Sequence, residues 1–254
     1  MTPSSDPPSP GPGLHDEVLE AALRLSRARD AFAARYAATE GDDHGRVVAR
    51  GEQLFDYVMA ASFGWRELLA TRTASPSGAA GILAGLRNNR RIIDTGTRME
   101  SVFADHGFGD DLPELLGGQP SESRLGFVPF EMKILDQHKV MLEGPQVGDE
   151  RSLMIVEHPA VLAAARAYWQ AARRAARPAA EVAERGPAAL AQFSARQRAV
   201  IALLTRDVAD DRAAELLGIS VRTLRAEVAA VKDRLGVGSR FAAGVALGRL
   251  RAQD

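Results

Sequence analysis

The chain has 254 residues, of which 46% are hydrophobic and 26% charged, with a formal net charge of -1; these are the values of a globular protein of about two domains. The absence of cysteine excludes a disulfide framework and thiolate metal sites and makes a cytoplasmic location the expectation, and no stretch approaches the roughly eighteen apolar residues of a membrane span. Charge is uneven: residues 190–254 hold eleven Lys or Arg against seven Asp or Glu, leaving the rest acidic, which fits nucleic-acid contact confined to one end.

Residues 1–13 carry five prolines and no apolar run, so they read as a disordered tail, neither signal nor anchor. Leu19, Ala22, Leu23, Leu25 and the 31–36 segment predict a long helix over 14–39, ended by turn residues at 40–45. A second helix is predicted over 51–62 with Leu54, Val58 and Met59 on one stripe. A short strand follows over 67–71, then a break at 75–78 and a helix over 79–87. Short apolar runs at 91–94, 124–128, 132–135, 140–142 and 153–156 predict strands. A helix over 159–177 closes the region. This order predicts an α/β effector domain over 14–176, with a linker over 177–189.

Ser194 is a good N-cap for a helix carrying Val200, Ile201, Leu203 and Leu204. A second helix over 209–217 presents Ala213, Leu216 and Leu217 and stops at Gly218. Ser220 caps a third, whose apolar stripe is Leu224, Val228, Val231 and Leu235. With that stripe inward, Arg222, Arg225, Ala226 and Ala229 face outward. Two long cations beside two small residues suit a helix seated in the major groove. Gly236 ends this helix, and a fourth over 240–250 supplies Phe241, Val245 and Leu247.

This segment resembles the LuxR-type helix-turn-helix family along its whole length. The matching residues are Phe193-Ser194, Arg196, Val200, Ile201, Leu203-Leu204, Ala213-Ala214, Leu217-Gly218-Ile219-Ser220, Arg222-Thr223-Leu224-Arg225, Val228, Val231, Arg234-Leu235-Gly236-Val237 and Ser239-Arg240. The resemblance implies an all-α four-helix DNA-binding domain over 190–254, whose third helix reads the major groove and whose fourth supports dimerisation. It assigns DNA contacts to Ser220, Arg222, Thr223, Arg225, Ala226 and Arg240, with Ser220 and Arg240 on phosphates. The sequence departs from the family at Glu227, where a histidine is frequent, and at Asp207 and Asp210-Asp211-Arg212. Glu227 therefore either faces away from DNA or lowers affinity, and the acids at the start of the second helix replace a basic phosphate contact. Weak non-specific affinity and dependence on dimers follow as expectations.

Residues 14–175 are similar to the effector region of actinobacterial LuxR-type regulators related to TrmB-like proteins, which contains a degenerate phospholipase-D-like half. The resemblance rests on Arg50-Gly51-Glu52, Arg91-Ile92-Ile93-Asp94 and above all Val128-Pro129-Phe130-Glu131-Met132-Lys133-Ile134-Leu135-Asp136. Active phospholipase-D strands carry a His nucleophile with Lys two residues on and an Asp further along. Here Pro129 and Glu131 stand at the first two places and only Asp136 is kept. His15, His44, His106, His138 and His158 form no metal-ligand spacing. The expectation is thus α+β overall, without enzymatic activity, metal or cofactor: a homodimeric regulator of double-stranded DNA that contacts no membrane, with room for a small-molecule effector. Trp65, Tyr57, Phe127, Phe130, Tyr168 and Trp169 are candidates for such a pocket, although aromatics at that spacing are more often core. The alternatives are a protein-binding cofactor with impaired DNA affinity and, against Pro129 and Glu131, a phosphodiesterase.

Overall fold

The computed structural model describes residues 12–38, 43–61, 64–73, 78–106, 108, 111–119, 121–146, 148–184, 190–206 and 208–251. The chain is mixed α and β. One eight-stranded sheet is built from β1 (Gly45–Arg50), β2 (Glu67–Arg72), β3 (Arg98–Ala104), β4 (Glu122–Gly126), β5 (Met132–Leu135), β6 (Lys139–Glu143), β7 (Ser152–Val156) and β8 (Arg177–Pro178), in the order β1-β7-β6-β5-β2-β3-β4-β8. β2, β3 and β4 run parallel, joined by α3 (Gly78–Asp94) and α4 (Leu112–Gly117). β5, β6 and β7 form an antiparallel meander off β2. Asp136 and Gln137 both have positive φ in the β5–β6 connection, as a tight hairpin of that twist requires.

Both faces of the sheet are covered, so its side chains alternate between two apolar layers. Ile134, Val140, Leu142, Met154 and Val156 point to one layer. There they meet Val18, Ala22 and Leu25 of α1 (Pro12–Ala38) and Val161, Ala165 and Tyr168 of α5 (Pro159–Ala175). Leu135, Met141 and Ile155 point to the other, with Leu68, Ile92 and Met99. Tyr168 is fully buried; its hydroxyl donates to Phe130 O at 2.8 Å and accepts from Phe130 N at 3.2 Å. Thr71 adds a bond from its hydroxyl to Phe130 O at 2.8 Å, so the strand-entry segment before β5 is pinned from both sides.

Several boundaries differ from those the sequence predicts. The tail expected over 1–13 lies outside the described residues except at its end, where Pro12 and Gly13 already belong to α1. α1 buries Val18, Ala21, Ala22, Leu25 and Phe32 and leaves Leu19 and Leu23 exposed, because its small alanines let α5 approach. β1, β3 and α4 have no counterpart among the predicted elements; only Gly45, the first residue of β1, carries an expectation there, as the end of a turn. The strand expected at 91–94 is the last turn of α3, where the Arg90–Asp94 pair has helical i,i+4 spacing and Gly96, at φ 91°, ends the run. The expected linker over 177–189 is corrected for its first eight residues: they form edge strand β8, paired with β4, and α6 (Ala179–Glu184). The other five, and the expected break at 75–77, lie outside the described residues.

The remaining helices are α7 (Ala195–Leu204), α8 (Asp210–Leu217), α9 (Val221–Leu235) and α10 (Arg240–Arg251). They pack directly onto the sheet domain. Leu115 and Leu116 of α4 share one continuous core with Ala199, Val200 and Leu203 of α7 and Leu216 and Leu217 of α8. At this junction Arg206 forms a two-pronged bond to Asp111, at 2.7 and 2.6 Å, with both side chains 11% exposed. A smaller core of Leu190, Phe193, Ile201, Val231 and Leu247 joins α7, α9 and α10.

Candidate nucleic-acid interface

The turn between α8 and α9 forms as its residues dictate. Ser194 and Gln197 make a reciprocal capping box at the start of α7. Gly218 ends α8 at φ 63° and Gly236 ends α9 at φ 67°, both in the left-handed region that glycine tolerates best. Ser220 Oγ accepts from Thr223 N at 3.0 Å, capping α9. Leu224, Val228 and Val231 are buried and Leu235 is half-buried, so the inward stripe is the one the spacing predicts.

The opposite face of α9 is open. Arg222, Arg225, Ala226 and Ala229 are exposed, and the sheet domain reaches the four helices through α3, α4 and α6 without covering that face. Ser220 is exposed and Thr223 half-buried at the helix entry; their hydroxyls lie 2.8 Å apart. Arg240 is exposed at the start of α10. All six residues assigned to DNA by the resemblance thus gather around the N-terminal half of α9.

Asp210, the first residue of α8 and one of the acids that depart from the family pattern, joins this set, with partners that the sequence does not assign. Its carboxylate receives both η nitrogens of Arg240, at 2.7 and 3.1 Å, and Arg225 Nε at 3.4 Å. The Arg240 bonds, with Arg225 adding to them, hold the Asp210 carboxyl below its ordinary value. The sequence signals it only as an acid at a helix start; that α9 and α10 return to it depends on the packing. Arg222 has no ion pair among the described residues. Glu227 faces aside: Gln197 donates to it at 3.3 Å and Arg196 lies 3.7 Å away, leaving it 21% exposed. Of the residues expected on α10, Leu247 is buried, whereas Phe241 is 82% and Val245 40% exposed. Asp207 lies outside the described residues.

The sheet domain abuts the α8–α9 turn with cations. Arg87 Nε donates to Glu215 of α8 at 2.7 Å, with Arg91 at 3.6 Å, and the Arg90 guanidinium lies against Gly218, where a Cβ would fall 2.2 Å from its carbon.

The residues likened to a phospholipase-D strand are dispersed. Asp136 Oδ1 accepts from Arg66 N at 2.7 Å and Glu67 N at 3.0 Å, fixing the start of β2. Glu131, at the other end of β5, accepts from Thr73 Oγ1 at 3.0 Å. Of the aromatics considered for a pocket, Tyr168 and Trp169 are core, Trp65 and Tyr57, the latter on α2 (Gln53–Ala61), pack against the layer of Leu68, Ile92 and Met99, and Phe127 packs against the main core; Phe130 lines a cavity between α2, α3 and the sheet. No helix among the described residues is long and apolar enough to cross a membrane. Comparison of the chain with protein-family models, curated proteins and solved structures gave no match.

Proposed function

We propose that this protein is a sequence-specific regulator of transcription that binds double-stranded DNA through α9, with Arg222 and Arg225 reading or gripping the major groove and Ser220, Thr223 and Arg240 fixing the backbone. The observation that carries the reading is the open face of α9, where two arginines flank small residues above a buried stripe. Such a face lets a helix lie deep in the groove while guanidinium groups reach phosphates or guanine edges. A single module buries too little surface for tight specific binding, and exposed Phe241 and Val245 on α10 support assembly as a homodimer. The kinship of the four helices with LuxR-type domains, and of the sheet domain with degenerate phospholipase-D-like halves, belongs to the same proposal and rests on the sequence stretches quoted above.

Selection of bound fragments from genomic DNA, followed by titration at several salt concentrations, tests the reading. The native chain enriches a repeated half-site. Arg222→Ala and Arg225→Ala each weaken binding by about 1–3 kcal/mol, with a shallower salt slope if the lost contact is to phosphate. Failure to enrich any sequence, or salt-dependent binding untouched by the double variant, overturns it.

One observation favours a second reading, a protein-binding cofactor with impaired DNA affinity: Asp210 already occupies Arg225 and Arg240. That reading expects a protein partner whose binding survives the double variant. Support for a phosphodiesterase is weaker, since Asp136 is engaged by two backbone N–H groups, Pro129 stands where the His nucleophile would be and Glu131 stands where the phosphate-holding Lys would be.

A further inference from the structure

Two cations sit inside the sheet domain where an apolar core would be expected. Lys133 occupies the middle of β5, a central strand buried on both faces, and is itself 6% exposed. Arg72, at the end of neighbouring β2, projects to the same side, the layer shared with Leu68 and Leu135. Its guanidinium lies 5.9 Å from the Phe103 ring and makes one long bond, 3.4 Å, to Asn89. Its Nε is buried with no acceptor among the described residues.

Both cations line a cavity of about 600 Å³, within the range of small-molecule sites. The cavity explains an oddity of α2: this helix has an apolar stripe but buries no residue. Leu54, Val58 and Met59 face the hollow, and Phe55, 54% exposed, stands at its edge. The charges do not cancel inside it. Glu131 is the nearest acid, 3.9 Å from Lys133, but it is 46% exposed and already accepts from Thr73. Glu143 and Arg151, which also line the cavity, pair with each other at 2.9 Å. Buried Lys133 and half-buried Arg72 against one half-exposed carboxylate leave about one positive charge with no partner, and withdrawing such a charge from water is costly unless something pairs with it. Burial, and then Arg72 beside it, pull the Lys133 amine down to about 8, so it is still mainly charged at neutral pH.

We infer that this cavity is a binding site for a small organic carboxylate with an apolar body, its carboxylate received by Arg72 and Lys133 and its body by the α2 and α3 walls. A single negative charge matches the single unpaired positive one, and a carboxylate presents two acceptors to a guanidinium edge. The inference does not depend on what α9 binds.

The test uses the full chain, with decanoate and uncharged decanol competing against the fluorescent anion anilinonaphthalene sulfonate. Decanoate is expected to displace the dye at a concentration about tenfold or more below that of decanol, the effect of one charge-assisted hydrogen bond, and to raise the melting temperature where decanol does not. Lys133→Met and Arg72→Met should each erase that preference. A third variant keeps both cations and fills the space. Gly85 on α3 lines the cavity, and a Cβ at this position would meet nothing within 4 Å, so Gly85→Leu should abolish decanoate binding in a folded protein. Equal potency of acid and alcohol, preference retained in folded Lys133→Met and Arg72→Met, or undiminished binding to Gly85→Leu overturns the assignment. So does displacement by inorganic phosphate at the concentration at which decanoate acts.

Discussion

Asp210 sets the charge that the α9 face offers. It lies between Arg225 and Arg240 and removes one of their two charges from any approaching polyanion. Asp210→Asn should therefore tighten binding to DNA by roughly three- to tenfold near 0.1 M salt and steepen the salt slope by up to about one ion; unchanged or weaker binding would show that the acid positions the arginines rather than masking them. The same residue contributes to acid stability. Because its folded carboxyl is held below the unfolded value, its contribution is full above about pH 4 and is lost as pH falls through the folded value. Asp210→Asn and native melting curves should thus differ at neutral pH and converge in acid. Lys133 works in the opposite direction. Its amine is depressed from 10.5 to about 8, so the unfolded chain binds the extra proton between those values and native stability rises with pH across that window. Lys133→Met, which lacks the buried charge, should be the more stable protein at pH 7, by a margin of order 3 kcal/mol that closes toward pH 10.

Among the elements, α3 joins the two halves of the molecule. Leu86 and Asn89 line the cavity, while Arg87 and Arg91 reach Glu215 of α8 and Arg90 abuts Gly218 at the entry to α9. If decanoate alters DNA affinity in the native chain, Glu215→Gln should reduce that coupling and leave decanoate binding itself intact; full coupling in the variant would place the route elsewhere. The elements that escape the sequence are those whose character is decided by partners distant in the chain. β3 reads Arg-Met-Glu-Ser-Val-Phe-Ala, and no alternation marks it as a central strand. Its Glu100 is nonetheless buried, at 3% exposure, because Arg173 of α5 and Arg124 of β4 hold it. The four C-terminal helices are legible almost to the residue, because capping serines, stop glycines and a 4-3-4 apolar spacing are local signals. The Asp210 clamp and the Arg72–Lys133 pair are not, since each joins separate elements.

At the scale of the whole molecule, the sequence predicts two domains on a linker, and the structure instead runs one apolar core through both. The C-terminal helices lean on the sheet domain with Ala199, Leu216 and Leu217, and Gly118 of the sheet domain comes so close to Ala199 that a Cβ there would lie 2.6 Å away. Arg206 and Asp111 seal the same junction with few other options, since removing one partner leaves a mostly buried charge alone. Arg206→Met should therefore cost about 3–5 kcal/mol, far more than loss of the half-exposed Arg87–Glu215 pair, worth at most about 1 kcal/mol. The cost should appear in a particular form. Native protein should melt in one calorimetric transition, whereas Arg206→Met should split it, the α7–α10 unit unfolding first. By the same reasoning a fragment of residues 190–254 should bind a hydrophobic dye and melt broadly, because the face that α4 and α3 cover is left in water. A fragment as cooperative as the full chain would mean that the smaller core around Phe193, Ile201 and Val231 suffices alone, and that the junction serves to orient α9 rather than to stabilise it.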